Sequence, residues 1–321
     1  MADPALERIL VTGGTGFIGR YVVDLLVRDG FRPLVTTFSG RSVDDHAAIS
    51  NIDVIKLDLT DRPGITDLVE TYRPHVVINL AGATGHDDPT GRMCHAVNYV
   101  GTANLLNALN RCGVGRVILL GSASEYGRQR TPFREGMPTL PESPYGISKA
   151  QATSLACGMH EATGFPAIVL RVISAFGHAQ PSKMFLPQLV THGLLSRGFK
   201  MSDGLQKRDY VYAGDVAIAI RKAMTAQNAV GRTINIAGGQ GIALKELALK
   251  VWDLCGADKG LLQIGALDKT GDDGVDTEAD ISLAERLLGW RPASSILPED
   301  GMHFALPDLV RRMRQDILSL T

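Results

Sequence analysis

The stretch that decides the fold is Ile9–Gly19, which reads ILVTGGTGFIG. Its first four residues are apolar or β-branched, as in a buried strand, and glycines follow at positions 13, 16 and 19. The next segment, Gly19–Asp29, carries four apolar residues on one broad helical face. A glycine turn between a strand and a helix N-terminus lets phosphate oxygens approach backbone amides. The stretch therefore predicts a strand, a tight turn and a helix that together bind a dinucleotide.

The rest of the first half alternates short apolar runs with amphipathic helical stretches. The apolar runs are Leu34–Phe38, Asp53–Leu57, Val76–Leu80, Val117–Leu120 and Ala167–Ile173. Strands that alternate with helices form parallel sheets through right-handed crossovers. We therefore expect an α/β fold with a doubly wound parallel (Rossmann) sheet.

A change of pattern near Phe176 predicts a division into two parts, because helices, turns and short strands replace the regular alternation there. We expect residues 1–175 to form a dinucleotide-binding domain, to which a segment at about 209–236 returns. Residues 176–208 and 237–321 would form a smaller mixed α/β lobe that binds the substrate. Ligands of such folds bind beyond the carboxyl ends of the strands, so the lobe should lie over that edge.

Composition excludes several classes of protein. The chain has 321 residues, a formal net charge of −1 and 45% hydrophobic residues. No basic stripe is present to bind nucleic acid, and the apolar runs are much shorter than the ~20 residues of a membrane helix. At the start, no basic segment precedes an apolar stretch, so no signal peptide is expected. We expect a cytoplasmic protein that binds neither nucleic acid nor a membrane.

The cysteines do not predict a metal site. Cys94, Cys112, Cys157 and Cys255 share no CxxC spacing. Free thiols in a reducing compartment fit this pattern better than disulfides or zinc ligands. We therefore expect no bound metal.

Ser122, Tyr145 and Lys149 carry the candidate chemistry. Tyrosine is a weak acid with an ordinary pKa of about 10, so it needs help to exchange protons near neutral pH. A lysine four residues later lies one helical turn away, where its cation favours the tyrosinate. A serine hydroxyl can hydrogen-bond a carbonyl or alcohol oxygen meanwhile. This set predicts hydride transfer at an alcohol or sugar carbon beside a nicotinamide.

The chain resembles the extended short-chain dehydrogenase/reductase family, in the branch of nucleotide-sugar epimerases, dehydratases and 4-ketoreductases. The resemblance covers nearly the whole chain, since the matching segments occur in the family's order. They are Ile9–Gly14, Val76–Gly82, Asn98–Leu106, Ser122–Gly127, Ser143–Lys149, Arg208–Asp215 and Leu288–Pro292. The resemblance implies that Ser122, Tyr145 and Lys149 are the catalytic residues, and that Tyr145 and Lys149 also contact the cofactor.

The glycine loop is the core of the expected cofactor site. Gly13 would allow the tight turn, Gly16 would let phosphates approach, and Gly19 would let the helix pack on the sheet. The remaining loop residues assigned to the cofactor are Thr15, Phe17 and Ile18.

The end of the second strand distinguishes the two nicotinamide cofactors. NAD sites usually carry Asp or Glu there to bind the ribose hydroxyls. Here that position is Thr37, and Ser39 and Arg41 follow. A 2′-phosphate would be accepted by this set, so NADP is favoured and NAD is the alternative.

Two further segments complete the expected cofactor site. Asp58 and Leu59 resemble the family's adenine contact, although Asp58 could equally cap the helix predicted over Arg62–Glu70. Small residues after the fourth strand would let the cofactor lie against the backbone; they are Ala81, Gly82 and Ala83.

The two positions after Ser122 separate the possible reactions. Sugar 4,6-dehydratases of the family have an acid and a base there, typically Asp-Glu, whereas this chain has Ala123 and Ser124. Alanine cannot move a proton, so dehydration is poorly supported. Ser124 is either a second substrate contact or a turn residue. Glu125 comes one place late, and we interpret it as structural.

The resemblance also implies substrate contacts. Arg208 would clamp a nucleotide diphosphate, unless it forms only a surface turn with its neighbour Asp209. Ser174 replaces an asparagine that reaches the sugar. Three residues lie where the family wraps the base: Lys183, Phe185 and Gln188. His86 lies at the mouth of the sheet and is either a substrate contact or an uninvolved loop residue.

These observations lead to one favoured function and two alternatives. The run Gly204–Tyr210 resembles reductases of nucleotide-linked 4-keto-6-deoxy sugars, so we favour an NADP-dependent 4-ketoreductase. A nucleotide-sugar 4-epimerase with tightly bound NAD needs the same catalytic residues and is the alternative. A non-catalytic sensor that binds the cofactor is the third, although the tyrosine and the lysine are both present.

The resemblance further implies a homodimer with a nucleotide-diphosphate sugar as its substrate. Family members often pair two helices, here Asn98–Arg111 and Tyr145–Thr163, with their copies across a two-fold axis. The alternative is that the apolar residues of these helices only cover the chain's own sheet.

Overall fold

The computed structural model describes residues 8–38, 52–84, 88, 90–268, 275–296 and 303–319. Its strands are β1 (Ile9–Thr12), β2 (Leu34–Thr37), β3 (Val54–Lys56), β4 (Val76–Asn79), β5 (Arg116–Ser122), β6 (Ala167–Val172), β7 (Ser174–Phe176), β8 (Phe199–Met201), β9 (Lys207–Tyr212), β10 (Thr233–Ile236), β11 (Gly241–Ala243), β12 (Leu262–Ile264), β13 (Ser294–Ser295) and β14 (His303–Phe304). Its α-helices are α1 (Phe17–Arg28), α2 (Arg62–Tyr72), α3 (Thr102–Cys112), α4 (Pro144–Thr163), α5 (Phe185–Leu194), α6 (Ala213–Ala223), α7 (Leu244–Cys255), α8 (Ser282–Leu288) and α9 (Ala305–Ser319).

Seven strands of the described residues form one sheet in the order β10-β6-β5-β4-β1-β2-β3. Each neighbouring pair is parallel, from β10 with β6 at one edge to β2 with β3 at the other. The strand order reverses direction between β1 and β4, where open α/β sheets bind their ligands. The expected doubly wound Rossmann sheet is therefore confirmed.

Helices cover both faces of this sheet. On one face, α1 and α6 bury apolar side chains against the strands, among them Val23 and Ile220, which are both 0% exposed. On the other face, α2, α3 and α4 pack through residues such as Leu105 and Ala156. The sheet is thus apolar on both sides, which explains why its strands read as continuous apolar runs.

A separate apolar cluster holds the C-terminal part together. It joins α5, α7 and α9 around Leu189 and Trp252. The small sheet β11-β9-β7 connects this part to the main sheet, because β7 follows β6 after one residue. Strand β9, which carries Arg208, therefore lies near the carboxyl end of β6. The division into a dinucleotide-binding domain and a substrate lobe stays a prediction.

The local sequence explains where the key helices begin. Ser143 accepts a hydrogen bond from the Gly146 amide at 3.1 Å, and Pro144 occupies the first helical position of α4. In place of one helix starting at Asn98, the chain forms a π-helix over Cys94–Gly101 that continues into α3.

In the part of the chain that the structure describes, no helix combines the length and apolarity needed to cross a bilayer.

Candidate active site

The glycine loop forms a cradle between β1 and α1. Gly13 has a φ of +65°, and a Cβ there would lie 2.7 Å from the Ala81 amide nitrogen. A Cβ on Gly19 would lie 2.3 Å from the Gly13 carbonyl oxygen. Helix α1 starts after Gly16 with no side-chain cap, so the amides of its first turn face outward. An uncapped helix N-terminus behind a glycine cradle fits a dinucleotide phosphate.

Residues of this loop also reach the end of β2. The Thr15 hydroxyl donates a hydrogen bond to the Thr37 hydroxyl at 2.9 Å. Thr37 is 5% exposed, so a hydroxyl stands where NAD sites usually carry a carboxylate. The other two residues of the NADP prediction, Ser39 and Arg41, lie outside the described residues.

The structure separates the two roles considered for Asp58. Its Oδ1 accepts hydrogen bonds from the backbone and hydroxyl of Thr60, both at 2.8 Å. The cap of α2 is Asp61, whose Oδ1 accepts the Gly64 amide at 3.2 Å. The interpretation of Asp58 as that cap is therefore wrong, because Asp61, directly before Arg62, holds the cap position. Leu59 is buried under Gly101, and the adenine contact stays a prediction for both.

Asn98 ties the end of β4 to the helix that carries the tyrosine. Its Oδ1 accepts the Ala83 amide at 2.8 Å, and its Nδ2 donates to the Ala83 carbonyl and to Ser148 Oγ, each at 3.0 Å. Ser148 in turn donates to the Tyr145 carbonyl at 2.8 Å. The segment 81–83 is thus fixed beside α4, where the sequence placed the cofactor's path.

The structure brings the three candidate catalytic side chains together. Ser122 ends β5 and is 8% exposed. Tyr145 lies in the first turn of α4 and forms a side-chain hydrogen bond with Ser122. Lys149 follows one turn later on the same helix. A hydroxyl pair with a cation nearby can bind a substrate oxygen and exchange its proton.

Burial dominates the acid–base properties of this group. Burial raises the pKa of Tyr145 most strongly. The hydrogen bond with Ser122 lowers this pKa, and the nearby Glu125 and Cys94 raise it further. Burial lowers the pKa of Lys149, and the Glu125 carboxylate raises it. Because burial disfavours the charged form of the lysine, a negative charge in its surroundings helps to keep it cationic.

A pocket of about 220 Å³ opens beside the catalytic group. Three predicted substrate contacts line it: Ser124, Ser174 and Arg208. Arg208 donates from Nη1 to the Lys207 carbonyl at 3.0 Å and also to the Val275 carbonyl. These bonds fix its guanidinium at the pocket wall, so it is not confined to the surface turn considered as the alternative.

The other predicted substrate contacts lie elsewhere. Phe185 packs its ring against Phe199 with a centroid distance of 5.9 Å, and Gln188 donates to the Lys183 carbonyl at 2.5 Å. Lys183, Phe185 and Gln188 do not line the 220 Å³ pocket. His86 lies outside the described residues. The roles of these four residues stay predictions.

Sequence reasoning missed the contribution of Arg171 to the site. Arg171, on β6, pairs with Glu125, which the sequence analysis took as structural. The two residues are 46 positions apart in the sequence, so no local motif indicates that they pair.

Among the described residues, no group of three His, Cys, Asp or Glu side chains could hold a metal ion.

Comparison with known proteins agrees with the fold. A family profile described as the NAD dependent epimerase/dehydratase family matches residues 9–237. The chain belongs to this family. It is therefore an enzyme, an NAD(P)-dependent oxidoreductase of the extended short-chain dehydrogenase/reductase type.

Individual relatives act on nucleotide sugars. The chain is 30% identical over 302 residues to a dTDP-glucose 4,6-dehydratase of Streptomyces griseus, covering 89% of both chains. It is 26% identical to an uncharacterized UDP-glucose epimerase of Bacillus subtilis over 92% of this chain and 95% of the relative. The crystal structure of UDP-glucose 4-epimerase from Thermotoga maritima with UDP-glucose superposes with a TM-score of 0.87 and 26% identity, covering 97% and 99% of the two chains.

Proposed function

We propose that this protein is a nucleotide-sugar 4-epimerase that uses NAD. The observation that carries the proposal is the pair of residues after Ser122. Ala123 and Ser124 line the pocket beside the catalytic serine, where a dehydratase would carry its acid and base. The site therefore supplies a tyrosine to exchange one proton and lacks the second acid–base pair at these positions. These side chains suit a reaction that oxidises and then reduces a single carbon.

The chain's own residues would perform the proton chemistry. NAD, when bound, accepts a hydride from the sugar carbon and returns it. Tyr145 as tyrosinate takes the proton of the C4 hydroxyl during oxidation and gives it back during reduction. Ser122 hydrogen-bonds the same oxygen as it becomes a carbonyl. Lys149 lies one turn away, where its cation favours the tyrosinate.

The two redox alternatives differ in their support. Relatives that are named as epimerases cover nearly the whole chain, and they favour the epimerase over the 4-ketoreductase that the sequence analysis preferred. One observation favours the reductase, because the buried Thr37 hydroxyl leaves no carboxylate at the end of β2 to repel a 2′-phosphate. We therefore keep an NADPH-dependent 4-ketoreductase as the second candidate.

The proposed substrate is a nucleoside diphosphate sugar. Ser124 and Ser174 would contact the sugar in the 220 Å³ pocket, and Arg208 would hold the diphosphate with its guanidinium. The proposed contacts to the base are Lys183, Phe185 and Gln188.

We also propose a homodimer. A groove of about 520 Å³ lies between α3 and α4, lined by Leu155, Met159 and Gly158 among others. Leu105, which covers the sheet, is fully buried, whereas Leu155 and Met159 are only partly buried against the same apolar cluster. A second copy of the same two helices would cover this groove across a two-fold axis.

The test is product analysis with purified protein. Incubation with NAD and a panel of UDP- and dTDP-hexoses in deuterated water should give C4 epimers without deuterium at C4, because the hydride that returns is the one removed. Formation of a 4-keto-6-deoxy product would indicate dehydration. Oxidation of NADPH by 4-keto-6-deoxy sugars, with no epimer from any hexose, would establish the reductase instead. Mass spectrometry of cofactor released from fresh protein provides the second measurement, with NAD expected.

A further inference from the structure

Glu125 is sealed behind the catalytic serine. It ends the short 3₁₀ turn Ala123–Glu125 that follows β5, and it is 0% exposed. One carboxylate oxygen accepts the Ser122 amide at 2.8 Å, and the other accepts Nε of Arg171 at 2.8 Å. Glu125 does not line the substrate pocket. Its carboxylate therefore reaches the serine's backbone and cannot reach a substrate.

The sheet is shaped around this ion pair. Gly121 lies opposite Arg171 in the register of β5 and β6. A Cβ on Gly121 would lie 2.6 Å from Oε1 of Glu125 and 2.9 Å from Cγ of Arg171. Any side chain at position 121 would displace the carboxylate from the serine. The absence of a side chain at this one strand position thus makes room for the pair.

A series of side-chain contacts connects the Glu125–Arg171 ion pair to the substrate pocket. The Arg171 guanidinium lies over the Tyr126 ring, 4.7 Å from its centroid. Tyr126 donates its hydroxyl to Asn235 Oδ1 at 2.7 Å, and Asn235 Nδ2 donates to the Phe133 carbonyl at 3.2 Å. Phe133 lines the substrate pocket. The serine's backbone is therefore connected to a residue of the pocket wall.

Stability alone does not account for such a pair. Taking two charges out of water is costly, and apolar replacements of a buried ion pair are often equally stable. The Glu125 carboxylate lies close enough to the active site to raise the pKa of both Tyr145 and Lys149. The pKa of Tyr145 also responds to Ser122 on β5 and Cys94 on the π-helix, and Lys149 lies one turn further along α4.

We propose that Glu125 is a positioning residue that fixes the backbone of Ser122 and holds a negative charge beside Tyr145 and Lys149, with Arg171 as its anchor. The proposal rests on the catalytic assignment of Ser122 and Tyr145, and it applies equally to the epimerase and the reductase.

The first experiment measures Tyr145 directly and needs no substrate. Ultraviolet difference titration of the NAD complex, with Tyr145→Phe in the same background subtracted, reports when Tyr145 ionises. Glu125→Gln keeps the shape and an oxygen for the Ser122 amide but removes the charge. In Glu125→Gln we expect the pH midpoint of Tyr145 ionisation to be lower than in the wild type. In Glu125→Asp, which restores the charge, the midpoint should return towards the wild-type value. An unchanged midpoint in Glu125→Gln overturns the role of the charge.

A matched control separates this effect from general destabilisation. Asp215 is another buried carboxylate, 2% exposed, and it accepts the Ser294 amide at 2.8 Å away from the catalytic serine. Asp215→Asn should lower the melting temperature and leave the Tyr145 midpoint unchanged. A midpoint that moves equally in Asp215→Asn would show that any buried substitution has this effect and would overturn the proposal.

The second experiment tests the positioning of Ser122. The double variant Glu125→Leu/Arg171→Met removes both charges and should fold with near wild-type stability. We expect kcat to fall roughly tenfold or more at unchanged KM, because the serine is no longer held. A folded double variant with wild-type kcat would assign the pair to folding alone. Failure of the wild type on every nucleotide sugar would instead contradict the proposed function and leave the titration result standing.

Discussion

Tyr145 is the residue on which the proposed chemistry depends. It is hydrogen-bonded to Ser122, and its pKa is raised by burial, so the free site favours the protonated phenol. A protonated phenol is ready to donate, whereas the oxidative step needs the tyrosinate. The positive charge of Lys149 must therefore be preserved for proton removal to occur near neutral pH.

The first prediction concerns this hydroxyl. Tyr145→Phe should lower kcat by about 10²–10⁴-fold, the usual contribution of a general acid–base group, and should leave NAD binding nearly unchanged. Tyr72→Phe is the control, since its hydroxyl bonds the Ile9 carbonyl at 3.2 Å on the opposite end of the sheet. Steady-state kinetics and a fluorescence titration with NADH measure both quantities. Wild-type turnover in Tyr145→Phe would refute the catalytic assignment.

The second prediction concerns the glycine cradle. Gly13→Ala places a side chain at a φ of +65° and within 2.7 Å of a backbone nitrogen. It should destabilise the fold by more than the ~1–2 kcal/mol that left-handed backbone costs a non-glycine residue, and it should abolish NAD binding. Gly30→Ala is the matched control, because Gly30 also has a positive φ, +87°, but a Cβ there would have no atom within 4 Å. That control should lose stability and keep cofactor affinity; equal affinity in both variants would contradict the assignment of the loop.

At the scale of elements, helix α4 positions the chemistry because both of its ends are defined. Ser143 caps its N-terminus, and Gly164, with a φ of +73°, ends it. Asn98 holds its first turn to the end of β4 through Ser148. The tyrosine and the lysine therefore belong to one rigid element that is fixed to the sheet next to Ser122.

The third prediction compares two helix caps. Ser143→Ala and Asp61→Ala each remove one side-chain cap, and each should cost about 1 kcal/mol of stability. Only Ser143→Ala should also lower kcat, because α4 carries Tyr145 whereas α2 carries no candidate catalytic residue. Urea unfolding and kinetics on the two variants provide the comparison. A drop in kcat of the same size for Asp61→Ala would show that stability alone limits activity.

At the scale of the whole molecule, one buried carboxylate joins distant parts of the chain. Asp209 on β9 is 0% exposed and accepts the amides of Gly239 and Ala279, at 3.0 Å and 3.2 Å respectively. Burial raises its pKa to about 6 against these hydrogen bonds. The folded protein therefore holds this proton more tightly than the unfolded chain does.

The fourth prediction follows from the raised pKa of Asp209 in the folded protein. The stabilisation from protonated Asp209 is fully present below the unfolded pKa of 3.8 and is lost as pH rises through about 6. The free energy of unfolding of the wild type, relative to Asp209→Asn, should fall by about 2 kcal/mol between pH 4 and pH 7. Urea unfolding across this range measures it. Asp253→Asn, which removes an exposed carboxylate paired with Lys259, controls for net charge. A constant difference would contradict the prediction.

The fifth prediction concerns assembly. Light scattering should give twice the 34.4 kDa of one chain. Met159→Glu places a charge in the groove between α3 and α4 and should shift the protein towards the monomer. Leu318→Glu changes an exposed residue on α9 and should not. A wild-type mass near 34.4 kDa would refute the dimer.

What the sequence by itself determined is local. The strand, glycine turn and helix of Ile9–Gly19 lie within a few residues, and so do Tyr145 and Lys149 on one helical turn. Periodicity over such distances follows from backbone geometry, which is why the doubly wound fold was predicted correctly. The family was predicted from the resemblance of the short motifs. The same reasoning could not choose between the two roles considered for Asp58, because an aspartate after a strand and before a helix fits both.

Only the tertiary structure decided which residues meet across the chain. Glu125 and Arg171 are 46 positions apart and pair because β5 and β6 are neighbours in a register that places Gly121 opposite Arg171. Leu105 and Ala156 are buried in the core, whereas Leu155 and Met159 lie at its margin, where they pack partly against the core and also line the groove. Strand order, register and burial are properties of the whole fold, so no short segment of sequence encodes them.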